Sequence, residues 1–176
     1  MSIQERVKAS VRDVPDFPKP GILFKDITPI LKNPVLCREI TIALAEAYRN
    51  TEIDAVVGVE SRGFLFGMLI AQQLNVPFIP VRKAGKLPFD TIQHSYSLEY
   101  GTATVEMNVD ALKPEWNVLV HDDLLATGGT AMAAAELIQQ QQAHVAGFSF
   151  LIELDFLKGR DSLLRYAPIV DSLINY

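Results

Sequence analysis

The stretch Val118–Thr130, VLVHDDLLATGGT, decides the fold that we expect for this chain. It consists of an apolar strand, two adjacent acids, and a turn of small residues that opens a helix. In open parallel sheets, ligands bind outside the carboxyl ends of the strands. Asp122 and Asp123 follow directly on the apolar run, so we expect both of them to face a crevice at such an end.

The turn Ala126–Thr130 carries little side-chain bulk, so its backbone N–H groups can approach a phosphate closely. The N-terminus of the following helix favours negative charge, and Thr127 and Thr130 add hydroxyl donors. Because Asp122 and Asp123 would repel a bare phosphate, they are expected to bind something else. Sugar hydroxyls and a hard cation such as Mg2+ both suit them, so the pattern indicates a phosphorylated sugar held with metal.

Outward from this stretch, the chain alternates apolar strands with helices. The predicted helices are Ile3–Val14, Leu36–Ala47, Phe64–Leu74 and Thr130–Gln142, and the predicted strands are Ile53–Val59, Phe78–Val81, Val118–Val120 and Val145–Leu154. Continuous apolar strands separated by helices indicate a parallel sheet that is covered on both faces. We therefore predict a doubly wound α/β domain with a mostly parallel sheet and helices on both faces.

The composition is that of one globular domain covering residues 1–176. A formal charge of -5 argues against broad binding to nucleic acid or to an anionic membrane, because both attract clustered Lys and Arg.

The single Cys37 cannot form an internal disulfide, and we interpret it as a small buried side chain. This single cysteine suits a reducing compartment, so we expect a cytoplasmic protein. No apolar stretch approaches the roughly 20 residues that a membrane-spanning helix needs.

Two segments depart from the alternation of strands and helices. Residues 14–34 form a Pro-rich loop that contains DFPKPGILFKDITP. Residues 83–101 are polar, contain Gly85 and Pro88, and lead into TATVEMNV, which alternates like a half-exposed strand. We interpret residues 83–101 as a long loop and hairpin that covers an active site, and a disordered excursion is the alternative.

The strand, the paired acids and the ATGGT turn resemble the phosphoribosyl pyrophosphate motif of the type I phosphoribosyltransferases. The resemblance extends from Val14 onward through FPKPGILFKDITPIL, GVESRGFLFG, RKAGKLP, SYSLEYG and LIELDFLKGR, which are similar to family members that act on adenine. It implies the family's fold, with a short hood over 14–34 and a flexible active-site loop over 83–101. It also implies transfer of phosphoribosyl from 5-phosphoribosyl 1-pyrophosphate to adenine, giving AMP and pyrophosphate, with Mg2+ and in a homodimer.

The resemblance also assigns the site residues. The 5'-phosphate would meet Ala126, Thr127, Gly128, Gly129 and Thr130, and the ribose hydroxyls would meet Asp122 and Asp123, with Mg2+ held mainly by the substrate and partly by these two acids. Pyrophosphate would meet Glu60, Ser61, Arg62, Arg82, Lys83, Lys86 and Tyr100, and the peptide between Glu60 and Ser61 would be cis. Adenine would meet Leu23, Phe24 and Lys25, and Glu99 would handle a proton on the purine.

Several of these residues have a plainer interpretation if each is taken alone. The sequence ESRG at 60–63 would then be an ordinary turn between a strand and a helix, and the three cations near 82–86 would be a solvated surface. Glu99 would be an exposed loop acid. Phe24 would be part of the core.

Two positions depart from the family's pattern. Lys25 stands where related enzymes often carry Arg, so a contact through backbone atoms would preserve specificity, whereas one through the planar guanidinium would not. His121 stands where an apolar residue is more usual. Strand alternation points its side chain away from the face that Asp122 uses, so we interpret His121 as structural.

Two other functions stay open from the sequence. A phosphoribosyltransferase for an oxopurine, such as xanthine or hypoxanthine and guanine, would share the fold. A regulator that senses phosphoribosyl pyrophosphate without turnover is the other possibility. Such a regulator would be expected to add a DNA-binding domain or a basic face, and the 176 residues with their net charge of -5 offer neither.

Overall fold

The computed structural model describes residues 1–97 and 101–176 of the chain. Its helices are α1 (Ile3–Ser10), α2 (Thr28–Leu31), α3 (Pro34–Glu46), α4 (Gly63–Leu74), α5 (Gly129–Gln140) and α6 (Gly159–Leu163). Its strands are β1 (Arg12–Pro15), β2 (Leu23–Asp26), β3 (Ala55–Val59), β4 (Phe78–Lys83), β5 (Thr91–Ser97), β6 (Thr102–Asn108), β7 (Asn117–Leu125), β8 (His144–Glu153) and β9 (Val170–Asn175). Within the described ranges, no helix has the length and apolar character needed to cross a membrane.

The main sheet has seven strands in the order β5-β6-β4-β3-β7-β8-β9. The strands from β4 to β9 along this order pair in parallel, and β6 and β5 extend one edge in antiparallel pairing. Val57 of β3, for example, lies opposite Ile79 of β4 and Val120 of β7. The predicted mostly parallel sheet is therefore confirmed.

Two hydrophobic cores lie on opposite faces of this sheet. Successive strand residues point to opposite faces, so Val56 and Leu119 pack with the buried side of α4, whereas Val57 and Val120 pack with α5. All four of these side chains are fully buried. This division confirms the prediction of helices on both faces, and it explains why the strands are apolar along their whole length.

The helix α3 begins at Pro34, two residues before the predicted Leu36. The Asn33 side chain accepts the Leu36 N–H at 3.0 Å, and Pro34 occupies the first turn, where its missing N–H costs nothing. Cys37, predicted to be buried, is only partly buried, and its thiol contacts the Ile30 carbonyl oxygen at 3.4 Å. Burial raises the pKa of this thiol.

The predicted first helix is too long. Its pattern reaches Val14, but the helix ends at Ser10, and Val11 is already extended with φ -71° and ψ 133°. Val14 lies in β1, where it pairs with Phe24 of β2. An apolar residue at helical spacing is thus used by a strand, because pairing with a distant segment outweighs local periodicity.

The Pro-rich segment 14–34 is more regular than a loop. It contains β2, which forms a separate two-stranded antiparallel sheet with β1, and it also contains α2. The strand β9 at the far edge of the main sheet was likewise not predicted. Both β2 and β9 are short, and their pairing depends on partners elsewhere in the fold.

The polar segment 83–101 contains the predicted hairpin. Its strand β5 pairs along its whole length with β6, from Thr91 opposite Asn108 to Ser97 opposite Thr102. The loop between β4 and β5 is therefore confined to residues 84–90. The predicted site residues Glu99 and Tyr100 lie outside the described residues.

The fold brings three chain segments to one edge of the sheet. The strands β4, β3 and β7 are parallel neighbours, so their carboxyl ends lie together. Glu60 follows β3 directly, Lys83 is the last residue of β4, and Asp122 and Asp123 lie near the end of β7. Residues separated by up to 63 positions in the sequence therefore meet at this edge.

Candidate active site

The two acids lie side by side near the carboxyl end of β7, where Asp123 is buried and Asp122 is partly buried. Asp123 is 3% exposed, and its Oδ2 lies 2.9 Å from Nε of Arg62 in an ion pair. Asp122 accepts the backbone N–H of Asp123 through Oδ1 at 2.8 Å. Burial raises the pKa of Asp122, and the adjacent charge of Asp123 raises it further. Burial also raises the pKa of Asp123, although the Arg62 guanidinium offsets part of that effect.

Close packing of α4 against β7 brings Arg62 to Asp123. A Cβ atom at Gly63 would lie 2.9 Å from the backbone oxygen of His121 and 3.0 Å from Oδ1 of Asp122. Both distances are too short for ordinary contact, so only glycine allows the first turn of α4 to lie so near the strand. Arg62 directly precedes this glycine and reaches across to Asp123.

The predicted phosphate turn lines a cavity of about 450 Å3. We call it the ATGGT cavity, and its lining residues include Ala126, Thr127, Gly128, Gly129, Thr130, Asp122, Tyr96 and Ser97. The turn leads directly into α5 at Gly129. The unpaired N–H groups at the start of this helix favour an anion there.

Gly159 supports the ATGGT turn from behind. A Cβ atom at this position would lie 2.2 Å from the backbone oxygen of Ala126 and 3.0 Å from the carbonyl carbon of Thr127. The first residue of α6 is therefore in direct contact with the backbone of the turn. Gly159 belongs to the LIELDFLKGR motif, for which the sequence suggested no role.

Tyr96 is a site residue that sequence reasoning missed. Its hydroxyl forms a 3.0 Å hydrogen bond with Oγ1 of Thr130, and its ring carbons lie within 3.5 Å of the position that a Cβ atom would take at Gly129. It lies in β5, within the quoted motif SYSLEYG, and that motif was the available signal. The hairpin is thus in direct contact with the ATGGT turn.

A second cavity of about 400 Å3 adjoins the first. We call it the basic cavity, and it is lined by Glu60, Ser61, Arg62, Lys83, Lys86, Asp122 and Asp123. It brings together five of the seven residues predicted for pyrophosphate. The Glu60–Ser61 peptide is cis, as the resemblance implied. Asp122 lines both cavities, so the two form one continuous site around this carboxylate.

Arg82 is not among the residues that line the basic cavity. Its Nη2 donates to Oε1 of Glu60 at 2.8 Å, and its Nη1 donates to the Lys86 carbonyl oxygen at 3.0 Å. Glu60 also accepts the Lys83 N–H at 2.9 Å. The hydrogen bond from Arg82 outweighs burial and holds the pKa of Glu60 below its usual value. Glu60 and Arg82 therefore organise the wall of the cavity.

Phe24 is connected to the paired acids through Arg62. The Arg62 guanidinium lies over its ring at 4.8 Å from the centroid, and the Phe17 ring meets it edge to face at 5.1 Å. Arg62 thus contacts both Phe24 and Asp123. The neighbouring Leu23 is 50% exposed, which leaves it free to contact a ligand.

The Lys25 side chain is engaged away from Phe24. Its Nζ lies 2.7 Å from Oδ1 of Asp13 and 3.8 Å from the centroid of the Tyr176 ring. The residue is only 8% exposed. Because neighbouring strand residues point to opposite faces, Lys25 can serve a ligand beside Phe24 only through its backbone.

His121 is fully buried beneath α4. Its Nδ1 lies 3.3 Å from Oγ of Ser149, and burial lowers the pKa of the imidazole to about 3. A Cβ atom at Gly67 of α4 would lie 3.6 Å from His121 Cδ2. The neutral imidazole thus packs inside the domain, in agreement with the structural interpretation.

Comparison with known proteins gives a consistent result. A phosphoribosyl transferase domain matches residues 26–173. The adenine phosphoribosyltransferase of Cytophaga hutchinsonii is 51% identical over 174 residues, which is 99% of this chain and 96% of the relative. The adenine phosphoribosyltransferase of Thermoanaerobacter pseudethanolicus superimposes with a TM-score of 0.95 at 44% identity and covers 99% of this chain and 100% of its own.

One similar structure also has its ligands described. It is the adenine phosphoribosyltransferase of Saccharomyces cerevisiae in complex with D-2,5-dideoxy-2,5-imino-altritol 1,6-bisphosphate and adenine. It is 43% identical, superimposes with a TM-score of 0.90, and covers 97% of this chain and 98% of its own.

Gly159→Ala should destabilise the protein and weaken phosphate binding. The added methyl group would clash with backbone atoms of the ATGGT turn, and backbone cannot rotate aside as a flexible side chain does. Overpacking of this kind costs about 1–3 kcal/mol. Chemical unfolding and titration with inorganic phosphate measure the two effects. Leu164→Ala, at a residue 48% exposed just after α6, is the control. Wild-type values in both measurements would show that the contact is not needed.

Proposed function

This chain belongs to the adenine phosphoribosyltransferase family of type I phosphoribosyltransferases, and on that premise we propose how its two cavities hold 5-phosphoribosyl 1-pyrophosphate. The enzyme transfers the phosphoribosyl group to adenine in purine salvage, releasing AMP and pyrophosphate. The observation that carries the proposal is the position of Asp122 in the walls of both cavities. The ribose lies at Asp122, the 5'-phosphate in the ATGGT cavity, and pyrophosphate in the basic cavity.

The 5'-phosphate binds to the backbone of Ala126–Thr130. The N-terminus of α5 supplies N–H donors and a favourable field for a dianion. The carboxylates of Asp122 and Asp123 accept hydrogen bonds from the ribose hydroxyls. These hydroxyls offset the repulsion between the two adjacent charges, because each carboxylate then gains a donor.

Pyrophosphate binds among the cations of the basic cavity. Arg62, Lys83 and Lys86 line this cavity, and their positive charge suits a polyanionic leaving group. Glu60 is also in the wall, but its hydrogen bonds to Arg82 and to the Lys83 N–H compensate its charge. Tyr100, outside the described residues, completes the set by family resemblance alone.

Adenine stacks on Phe24. The ring of Phe24 is partly buried and adjoins Arg62, which places it next to the ribose end of the site. Leu23 adds apolar contact, and the backbone of Lys25 is available to read the edge of the base. Asp13 holds the Lys25 side chain, so the base contacts this residue through its backbone. A backbone contact does not need a guanidinium, which accounts for Lys at this position.

The reaction breaks the bond between the anomeric carbon and pyrophosphate. Positive charge develops on the ribose while negative charge collects on the leaving group, so catalysis is mainly electrostatic. The basic cavity stabilises the leaving group, and Asp122 and Asp123 balance the ribose. A purine nitrogen attacks the opposite face of the carbon, and its configuration inverts. The ATGGT turn contributes by fixing the 5'-phosphate, and with it the orientation of the sugar.

The residues present fit a magnesium ion that is held mainly by the substrate. Mg2+ commonly takes one or two protein carboxylates together with phosphate oxygens. Asp122 and Asp123 supply two carboxylates, and in the described ranges no cluster of three or more His, Cys, Asp or Glu side chains offers a fuller site. When bound, the ion neutralises charge on the pyrophosphate.

The segment 83–101, whose strand β5 pairs with β6, covers the site and excludes water from the reacting sugar. Two contacts support this proposal: Tyr96 bonds to Thr130, and Ser97 lines the ATGGT cavity. Glu99 lies outside the described residues. On the family resemblance, we assign it the proton on the purine ring.

Two copies of the chain pair through an apolar face of α4. Leu65, Met68 and Leu69 are 41%, 55% and 37% exposed, which is unusual for three neighbouring apolar side chains. The helix begins directly after Arg62, so a partner packed there would support the wall of the basic cavity. Sedimentation should give the mass of two chains. The mass of one chain at micromolar concentration would contradict the pairing.

Two further expectations stay predictions. A cytoplasmic location is predicted from the single Cys37, and no contact in the structure tests it. The expectation that nucleic acid and membranes are not partners is predicted from the net charge of -5.

Phe24→Ala should raise the KM for adenine and leave the KM for phosphoribosyl pyrophosphate near its wild-type value. Stacking of a base on an aromatic ring is worth about 1–3 kcal/mol, so an increase of roughly 5- to 150-fold is expected. Steady-state kinetics with each substrate varied in turn measure the effect. Phe156→Ala, at a residue 72% exposed, is the control. An unchanged KM for adenine in a folded variant would assign Phe24 to the core.

Changing Asp122 and Asp123 together to Asn should abolish most activity without unfolding the protein. Each charged hydrogen bond is worth about 1.5–3 kcal/mol, so kcat/KM should fall by about several hundredfold or more. The folded state should survive, because removing two adjacent buried charges relieves their repulsion. Rates are measured over a range of Mg2+ concentrations, alongside thermal unfolding. Asp110→Asn, at an exposed position, is the control. More than about a tenth of wild-type kcat/KM would mean that the ribose lies elsewhere.

Glu99→Gln should lower kcat and leave binding of phosphoribosyl pyrophosphate nearly intact. A general acid or base contributes about 100- to 10,000-fold to the rate. The measurement is kcat over a range of pH, with Glu115→Gln at a highly exposed glutamate as the control. Activity within a few-fold of wild type across that range would remove Glu99 from the mechanism.

A further inference from the structure

A buried carboxylate on β6 has no part in the mechanism above. Glu106 is 2% exposed and is not among the residues that line the ATGGT cavity or the basic cavity. Its Oε1 accepts the backbone N–H groups of Lys86 and Leu87, each at 2.8 Å. Its Oε2 accepts from the Thr91 hydroxyl and from the Gln93 side-chain amide, each at 3.2 Å.

Glu106 keeps its charge although it is buried. Burial alone would raise its pKa, but hydrogen bonds from the backbone of Leu87, Gly85 and Lys86 outweigh burial and hold the pKa below its usual value. A buried charge is costly unless its hydrogen bonds are satisfied, and an apolar side chain would fill the same space at lower cost. The carboxylate of Glu106 therefore serves to hold in place the backbone segment that donates hydrogen bonds to it.

That segment carries the cations of the basic cavity. The turn 84–87 follows Lys83 directly and contains Lys86, and both lysines line the cavity. The N–H of Lys86 is bound by Glu106, and its carbonyl oxygen accepts from Arg82 at 3.0 Å. Arg82 is held in turn by Glu60 at 2.8 Å. The peptide groups on both sides of Lys86 are thus fixed by buried or partly buried charges.

The same carboxylate also reaches the hairpin. Thr91 and Gln93 lie in β5, the strand that carries Tyr96 against Thr130 of the ATGGT turn. Glu106 therefore joins the turn at 84–87 to the strand that contacts the other cavity. Backbone N–H groups of the turn and side chains of β5 thus converge on one buried acid.

We propose that Glu106 is a positioning residue for pyrophosphate, which holds the turn 84–87 so that the ammonium groups of Lys83 and Lys86 meet the leaving group. This inference rests on the proposed assignment of the basic cavity to pyrophosphate. Glu106 itself does not touch the substrate, because its oxygens are occupied by the turn and the hairpin. Its effect should therefore fall on pyrophosphate and spare the ligands of the ATGGT cavity.

The test compares the inhibition constants of pyrophosphate and AMP in Glu106→Gln. The amide keeps the size of the side chain but loses the charge, and its NH2 group cannot accept a hydrogen bond. The inhibition constant of pyrophosphate should rise about tenfold. The loss of one charged hydrogen bond could weaken binding by more than this, but Glu106 acts on pyrophosphate only indirectly. The constants for AMP and the KM for adenine should stay within about twofold of wild type, because these ligands do not need the turn. Thermal unfolding is measured on the same samples.

Two further variants separate the possible failures. Glu115→Gln, at a side chain that is 82% exposed, is the matched control and should leave every constant unchanged. Lys86→Met removes one of the positioned cations and should weaken pyrophosphate binding directly. If Lys86→Met weakens binding and Glu106→Gln does not, the positioning role is wrong and the cavity assignment stands. If neither variant changes pyrophosphate binding, the cavity assignment fails and the inference fails with it.

A purely structural role gives a different result. It would lower the unfolding temperature and would change the constants for AMP and pyrophosphate equally. If Glu106→Gln does not fold, Glu106→Asp keeps the charge but withdraws it by one methylene, and the same selective loss of pyrophosphate binding is expected. Equal losses for both ligands, or failure of both variants to fold, would overturn the proposal and leave Glu106 as a structural residue.

Discussion

Two adjacent carboxylates near the end of a central strand, one buried and one partly buried, impose the constraint on which the site depends. Asp122 and Asp123 repel each other, and burial makes both charges costlier. The protein supplies Arg62 and one backbone N–H against this cost. Gly63 lets α4 approach closely enough for Arg62 to reach. In the proposed binding mode, the ribose hydroxyls and the metal use the remaining acceptor capacity, so the sugar completes an arrangement that is electrostatically incomplete without it.

On the side proposed for pyrophosphate, the neighbouring like charges are positive. Lys83 and Lys86 must stand near one another in a cavity before the anion arrives, although like charges repel. Two acids, Glu60 in the cavity wall and the buried Glu106, make this possible. Glu60 anchors Arg82, which holds the carbonyl group of Lys86, and Glu106 holds its N–H. Fixing the backbone of the turn in advance lowers the entropy cost of binding, because fewer conformations are lost when pyrophosphate is bound.

The hairpin and the helices join these two halves into one site. Tyr96 connects β5 to Thr130, and Glu106 connects β5 to the turn at 84–87. On the other face of the sheet, Arg62 connects Asp123 to Phe24. In the proposed binding mode, base, sugar and pyrophosphate are therefore bound by groups that contact one another.

The sequence by itself determined the elements with strong local signals. The apolar runs of β3, β7 and β8 and the small-residue turn before α5 follow from local sterics and hydrogen bonding, and the paired acids predicted a sugar site. Only the tertiary structure decided which distant groups meet. That Val14 pairs in a strand, that Lys25 turns to Tyr176, and that Gly159 supports Ala126 depend on long-range packing. Glu106 shows the reason: in the sequence it is one polar residue in an alternating strand, and its four hydrogen bonds arise only when residues 13 to 20 positions away fold onto it.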